Sequence, residues 1–158
     1  MGETISDLYV RHMRVITGAS NRQLDYWASI GLLSPSAGTP GSRLWKEYTI
    51  DDAICCRMIV ALREQGVSLQ QIRKALARLN RKLRNAANPS DELRRQRLIV
   101  YKGKIYVEDS LDGARRAVYR AVDGQSTFLF MNLDRVGKEV DDAMEELRRK
   151  SLEPSGVH

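Results

Sequence analysis

The sequence predicts an α+β protein, with a helical N-terminal head that contains one short basic strand and a small αβ domain behind it. Three observations carry this. Apolar residues recur at helical spacing through the first half, in runs closed by Gly18, Gly31 and Gly66. A loop containing Pro35, Gly38, Pro40 and Gly41 leads into the basic, aromatic segment Arg43-Leu44-Trp45-Lys46-Glu47-Tyr48. Past residue 90, the apolar runs Leu98–Tyr101 and Lys104–Val107 flank Lys102-Gly103, and an amphipathic helix ends the pattern.

Taken in order, Val10, Met13 and Ile16 mark a first helix that Gly18 stops. Ser20 is a good N-cap for a second, running through Asn21, Leu24, Trp27 and Ala28 to Gly31. Two helices joined by a short Gly-containing turn give a helix-turn-helix outline. The loop and strand that follow have the composition of a wing, in which small residues let backbone approach phosphate and Arg43 and Lys46 supply charge. Thr49, with Asp52 three residues on, opens a third helix with the stripe Ile54, Met58, Ala61 and Leu62. Ser68 caps a fourth, apolar along Leu69, Ile72, Leu76 and Leu79, with Gln70, Arg73, Lys74 and Arg78 on its other face.

Asn85 to Ser90 reads as a linker, because Pro89 opposes helix continuity, and a short turn over 91–95 follows. After the hairpin, Leu111 to Val122 is either a short helix or a loop. Thr127 to Met131 is an apolar run suited to a buried third strand. In the last helix, Leu133, Val136, Val140, Met144 and Leu147 share one face, which can pair with a second copy or pack on its own domain. The expected organisation is therefore a head over 8–84, a dimerisation or partner domain over 91–152, and flexible termini at 1–7 and 153–158.

A net charge of +6 favours a polyanionic partner, and its distribution says more. Residues 1–56 carry five basic and six acidic side chains, whereas 57–104 carry thirteen basic and three acidic. That surplus suits either a flanking duplex or an acidic protein. No apolar run approaches the roughly 18 residues of a membrane span, and the acidic, polar start has no signal-peptide character, so a cytoplasmic, nucleoid-associated protein is expected. Cys55 and Cys56 are adjacent, which is poor geometry for a disulfide, and read as small packing residues, with a redox or metal-sensing role as the alternative. No metal-ligand spacing, Gly-rich phosphate loop or Ser/His/Asp set stands out, so neither a metal, a cofactor nor an enzyme is expected.

The stretch from Thr17 to Leu33 (TGASNRQLDYWASIGLL) resembles the opening of the MerR family, where a TGVS turn leads to LRYYE and then GLL. Tyr48-Thr49-Ile50-Asp51-Asp52 is similar to that family's start of helix three, and Arg63 to Ile72 (REQGVSLQQI) to its next junction. The resemblance covers about half the chain and implies a winged helix-turn-helix that binds double-stranded DNA. It places the second helix in the major groove, nominating Ser20, Asn21, Arg22, Gln23 and Tyr26, with Arg43 and Lys46 of the wing on the backbone. Two departures are Asp25, which would repel phosphate unless Arg22 pairs with it, and Arg14, which adds a phosphate contact in helix one. After Asn80 the family's long coiled-coil helix is interrupted by Asn85, Asn88 and Pro89, and its mercury-type cysteine loop is absent. The tail is similar to MerR-like actinobacterial proteins, some of them antitoxins.

The expected function is a sequence-specific transcriptional regulator that binds an inverted-repeat operator as a homodimer. The alternatives are a DNA-binding antitoxin whose C-terminal half neutralises a small toxin partner, and an excisionase-like architectural protein that bends DNA.

Overall fold

The computed structural model describes residues 10–33, 48–110, 112–113, 115–116, 119 and 129–151. Its elements are α1 (Val10–Thr17), α2 (Asn21–Ser29), α3 (Ile50–Glu64), α4 (Leu69–Arg84), α5 (Pro89–Arg95), β1 (Arg97–Tyr101), β2 (Lys104–Glu108), β3 (Leu129–Asn132) and α6 (Leu133–Ser151). They confirm an α+β fold. The chain divides into two compact units, one of residues 1–57 with 137–158, the other of residues 58–136.

In the first unit the helix ends follow from local chemistry. The Ser20 and Gln23 side chains each bond the other residue's backbone N–H, which starts α2 with a complete capping box. Thr49 and Asp52 do the same for α3: the Asp52 N–H donates to Thr49 Oγ1 at 3.1 Å and the Thr49 N–H to Asp52 Oδ2 at 2.9 Å. At the end of α2 the Gly31 N–H donates to Ala28 and the Leu32 N–H to Trp27, a closure that needs the left-handed φ of +74° that Gly31 adopts. Met13, Ile16, Leu24, Trp27, Ile54 and Val140 are buried to within a few per cent.

In the second unit α3 ends by the same device, with Gly66 at φ +83° and the Val67 N–H on the Leu62 carbonyl. Arg63 Nη1 donates to the Val67 carbonyl at 2.9 Å, tying the turn into α4. The linker expected over 85–90 is shorter than the sequence reading allowed. Asn88 is an N-cap, its Oδ1 accepting the Asp91 N–H at 3.1 Å, and Pro89 is the first residue of α5. A proline there loses no helical hydrogen bond, so the residue that ends one helix pattern begins the next.

The sheet is antiparallel in the order β2-β1-β3. The central strand β1 is the buried one, with Leu98, Ile99 and Val100 in the core. The third strand begins at Leu129, and as an edge strand it is not buried as expected: Phe130 is 43% exposed. Residues 127 and 128 lie outside the described residues. α4 packs on β2 and on α5. Of the ambiguous stretch 111–122, the described residues Asp112, Gly113, Arg115, Arg116 and Tyr119 are helical.

Candidate nucleic-acid interface

The N-terminal turn of α2 is open to solvent. Ser20, Asn21, Arg22 and Gln23 are all exposed, and Tyr26, one turn further on, is 51% exposed. Leu24 and Trp27 turn the other way and are buried. The first turn of α2 holds no acidic side chain, so the partial positive charge of its N–H groups is left for an anion. Arg14 on α1 is exposed as well. The nominated groups therefore share solvent access, while Arg43 and Lys46 lie outside the described residues.

Gln23 has a double duty that the sequence did not disclose. Its Oε1 accepts the Ser20 N–H at 2.9 Å, while Ser20 Oγ accepts the Gln23 N–H at 3.1 Å. The carbonyl half of the amide is thus held by the cap, and the NH₂ is the half Gln23 can offer outward. Asp25 is half-buried, and its carboxylate bears on Tyr48. The Tyr48 phenol is buried without a hydrogen-bond partner among the described residues and is pushed up to about 12, first by burial and then by the charges of Cys56, Asp25 and Asp52.

Two residues that sequence reasoning passed over hold the turn before α2 in place. The Thr17 hydroxyl, buried at the end of α1, donates to the Met13 carbonyl at 2.6 Å and accepts the Ala19 N–H at 3.2 Å and the Cys56 thiol at 3.4 Å. Arg57 donates through Nη1 to the Ile16 carbonyl and through Nε to Glu139 Oε2 at 3.0 Å. One guanidinium thus joins α3 to the end of α1 and to α6. The only cue to it was a charged residue beside the buried Cys56 within an otherwise apolar stretch of α3.

Cys55 and Cys56 behave as packing residues. Burial pushes their thiols up to about 12 and about 11, so both stay protonated at neutral pH. Among the described residues no group of three or more His, Cys, Asp or Glu is placed to hold a metal ion. No helix among them is long and apolar enough to cross a membrane. On α6, Leu133, Val140 and Met144 are buried within the chain, and Val136 and Leu147 are half-buried.

A capped second helix with an exposed polar N-terminus, set behind a Gly turn, defines a helix-turn-helix protein. A model of the MerR HTH family regulatory protein matches residues 10–79, and this stretch is a MerR HTH family domain. An uncharacterized HTH-type transcriptional regulator of Mycobacterium bovis is 37% identical over 71 residues, which are 42% of this chain and 30% of that protein. One from Mycobacterium tuberculosis H37Rv gives the same figures. The heavy metal-dependent transcription regulator 1 of Rhizobium meliloti is 31% identical over 75 residues, 48% of this chain and 50% of that protein. The chain spans half or less of the length of these curated relatives.

Proposed function

We propose that the protein is a sequence-specific, DNA-binding transcriptional regulator that works in the cytoplasm and is not an enzyme. The observation that carries this is the exposed, capped N-terminus of α2, with Asn21, Arg22 and Tyr26 outward, inside a MerR HTH family domain. Arg22 takes a guanine edge through its two parallel donors, Asn21 suits adenine, and Ser20 and Arg14 hold phosphate. Arg43 and Lys46 extend the backbone contacts as a wing. The relatives' names as HTH-type transcriptional regulators support the same reading.

The protein acts as a homodimer on an inverted repeat, one recognition helix in each half-site, and residues 91–152 supply the dimer contact. With Leu133, Val140 and Met144 buried in the chain, a dimer through α6 draws on the exposed face of that helix and on Val136 and Leu147. A second reading, an antitoxin whose C-terminal half masks a small toxin, is favoured by one observation. The exposed part of α6 presents Asp141, Asp142, Glu145 and Glu146, a surface suited to a basic partner.

The test is to incubate the purified full chain with fragmented genomic DNA and sequence what it retains. Discrete inverted-repeat sites bound by protein alone are expected. Failure to enrich any sequence, together with a stoichiometric small protein partner, would transfer the role to the C-terminal half.

A further inference from the structure

The residues that read and the residues that carry the charge lie on different units. Residues 1–57 with 137–158, which include α2, hold ten basic and twelve acidic side chains, whereas 58–136 hold sixteen and eight. Affinity for a duplex comes largely from Lys and Arg that displace counterions from phosphate. A unit with two more acids than bases supplies only part of that affinity through Arg14, Arg43 and Lys46, so a further hold on the backbone is to be sought on residues 58–136.

There the β1–β2 hairpin presents cations at a tip. Tyr101 pairs with Lys104 across the last rung, leaving Lys102 and Gly103 as the turn, with φ of +50° and +77°. Positive φ at both central residues is the two-residue hairpin turn that favours Asn, Asp or Gly first. Lys102 is the only non-glycine with positive φ among the described residues, so lysine is there against the backbone's preference. Lys102, Gly103 and Lys104 are all exposed, and a side chain at Gly103 would meet only open space. The Lys102 ammonium lies 5.3 Å from the centre of the Tyr101 ring, and that of Lys104 lies 5.6 Å from Tyr106. A ring steadies the position of a cation, which lowers the ordering lost when that cation binds a phosphate.

We propose that the Lys102-Gly103-Lys104 tip is a second nucleic-acid contact, one that grips the phosphate backbone of duplex DNA without regard to sequence. The two ammonium groups act as point charges on phosphate oxygens, and the bare Gly103 lets the backbone come close. This rests on the DNA-binding reading above and adds to it a division of labour, with α2 selecting the site and the hairpin supplying hold.

The experiment measures binding of the full chain to a mixed-sequence duplex over a range of salt. The hairpin variant is Lys102→Asn with Lys104→Gln. A control, Lys138→Gln with Lys150→Gln on α6, removes the same charge elsewhere. Asparagine suits the left-handed turn, so the hairpin variant should melt at or above the wild-type temperature, which separates lost binding from lost fold. The slope of log affinity against log salt should fall by about 0.9 for each lysine removed from the tip and stay at the wild-type value in the control. An unchanged slope in the hairpin variant, or an equal fall in the control, overturns the proposal while leaving the DNA-binding reading intact. A wild-type chain that holds no duplex overturns both.

Discussion

The thiol of Cys56 on α3 donates to the hydroxyl of Thr17 at the end of α1, 3.4 Å away, across 39 residues of sequence. Because the same hydroxyl also accepts the Ala19 N–H, the backbone just before α2 is fixed by a buried group with no solvent to replace it. Replacing Thr17 with Val preserves the shape and strands the Ala19 N–H. It should cost about 1–3 kcal/mol in urea unfolding, the penalty for a buried donor left unmade. Cys56→Ala, which leaves that N–H satisfied, should cost clearly less, and equal losses would show that the hydroxyl is not the hub.

Arg22→Ala should leave the melting temperature unchanged, since the side chain is exposed, and weaken binding to a preferred site by about 1–3 kcal/mol while relaxing choice at one base. Titration of wild type and variant against matched and mixed-sequence duplexes checks this. Equal losses on both would make Arg22 a backbone contact.

Arg57 and Glu139 give a contrast between two kinds of charge interaction. Arg57→Met keeps the stem but leaves the Ile16 carbonyl without its guanidinium donor, and should destabilise by about 1–3 kcal/mol. Glu139→Gln removes a partner whose side chain is 46% exposed, where solvent screening holds an ion pair to about 0–1 kcal/mol. The two variants compared in one denaturation series test the ranking.

Stability should fall on the alkaline side. The Tyr48 phenol is raised from 10.0 to about 12, and the Cys55 and Cys56 thiols from 9.0 to about 12 and about 11, all chiefly by burial. A group raised on folding is neutral in both states below its unfolded value. Above it, the unfolded chain ionises first. The stabilisation is therefore full at pH 8 and is lost progressively from about 9 toward 11 and beyond. Thermal melts across that range should show the decline, and Cys56→Ala should flatten it.

Much of this architecture could be read from short-range chemistry. Ser20, Thr49 and Ser68 cap the helices expected of them, and the hairpin turns at Lys102-Gly103. Asn88-Pro89 misled because the same pair breaks one helix and starts another. Which apolar run would be central was also hidden, since strand order depends on partners far along the chain: β1 became the buried strand and Phe130 of β3 an exposed edge. At the candidate interface, exposure of Asn21, Arg22 and Tyr26 followed from helical periodicity. The supports did not, because Thr17 to Cys56 and Arg57 to Glu139 span 39 and 82 residues, beyond any local pattern.

The unit that contains α2 also contains residues 137–158, so its two parts are separated by everything made in between. During synthesis on the ribosome, α1 and α2 emerge long before Glu139, Val140 and Met144 exist to join them. The unit around α2 is thus unfinished until α6 has been translated. Closure of the unit around α2 is in this way coupled to translation of α6.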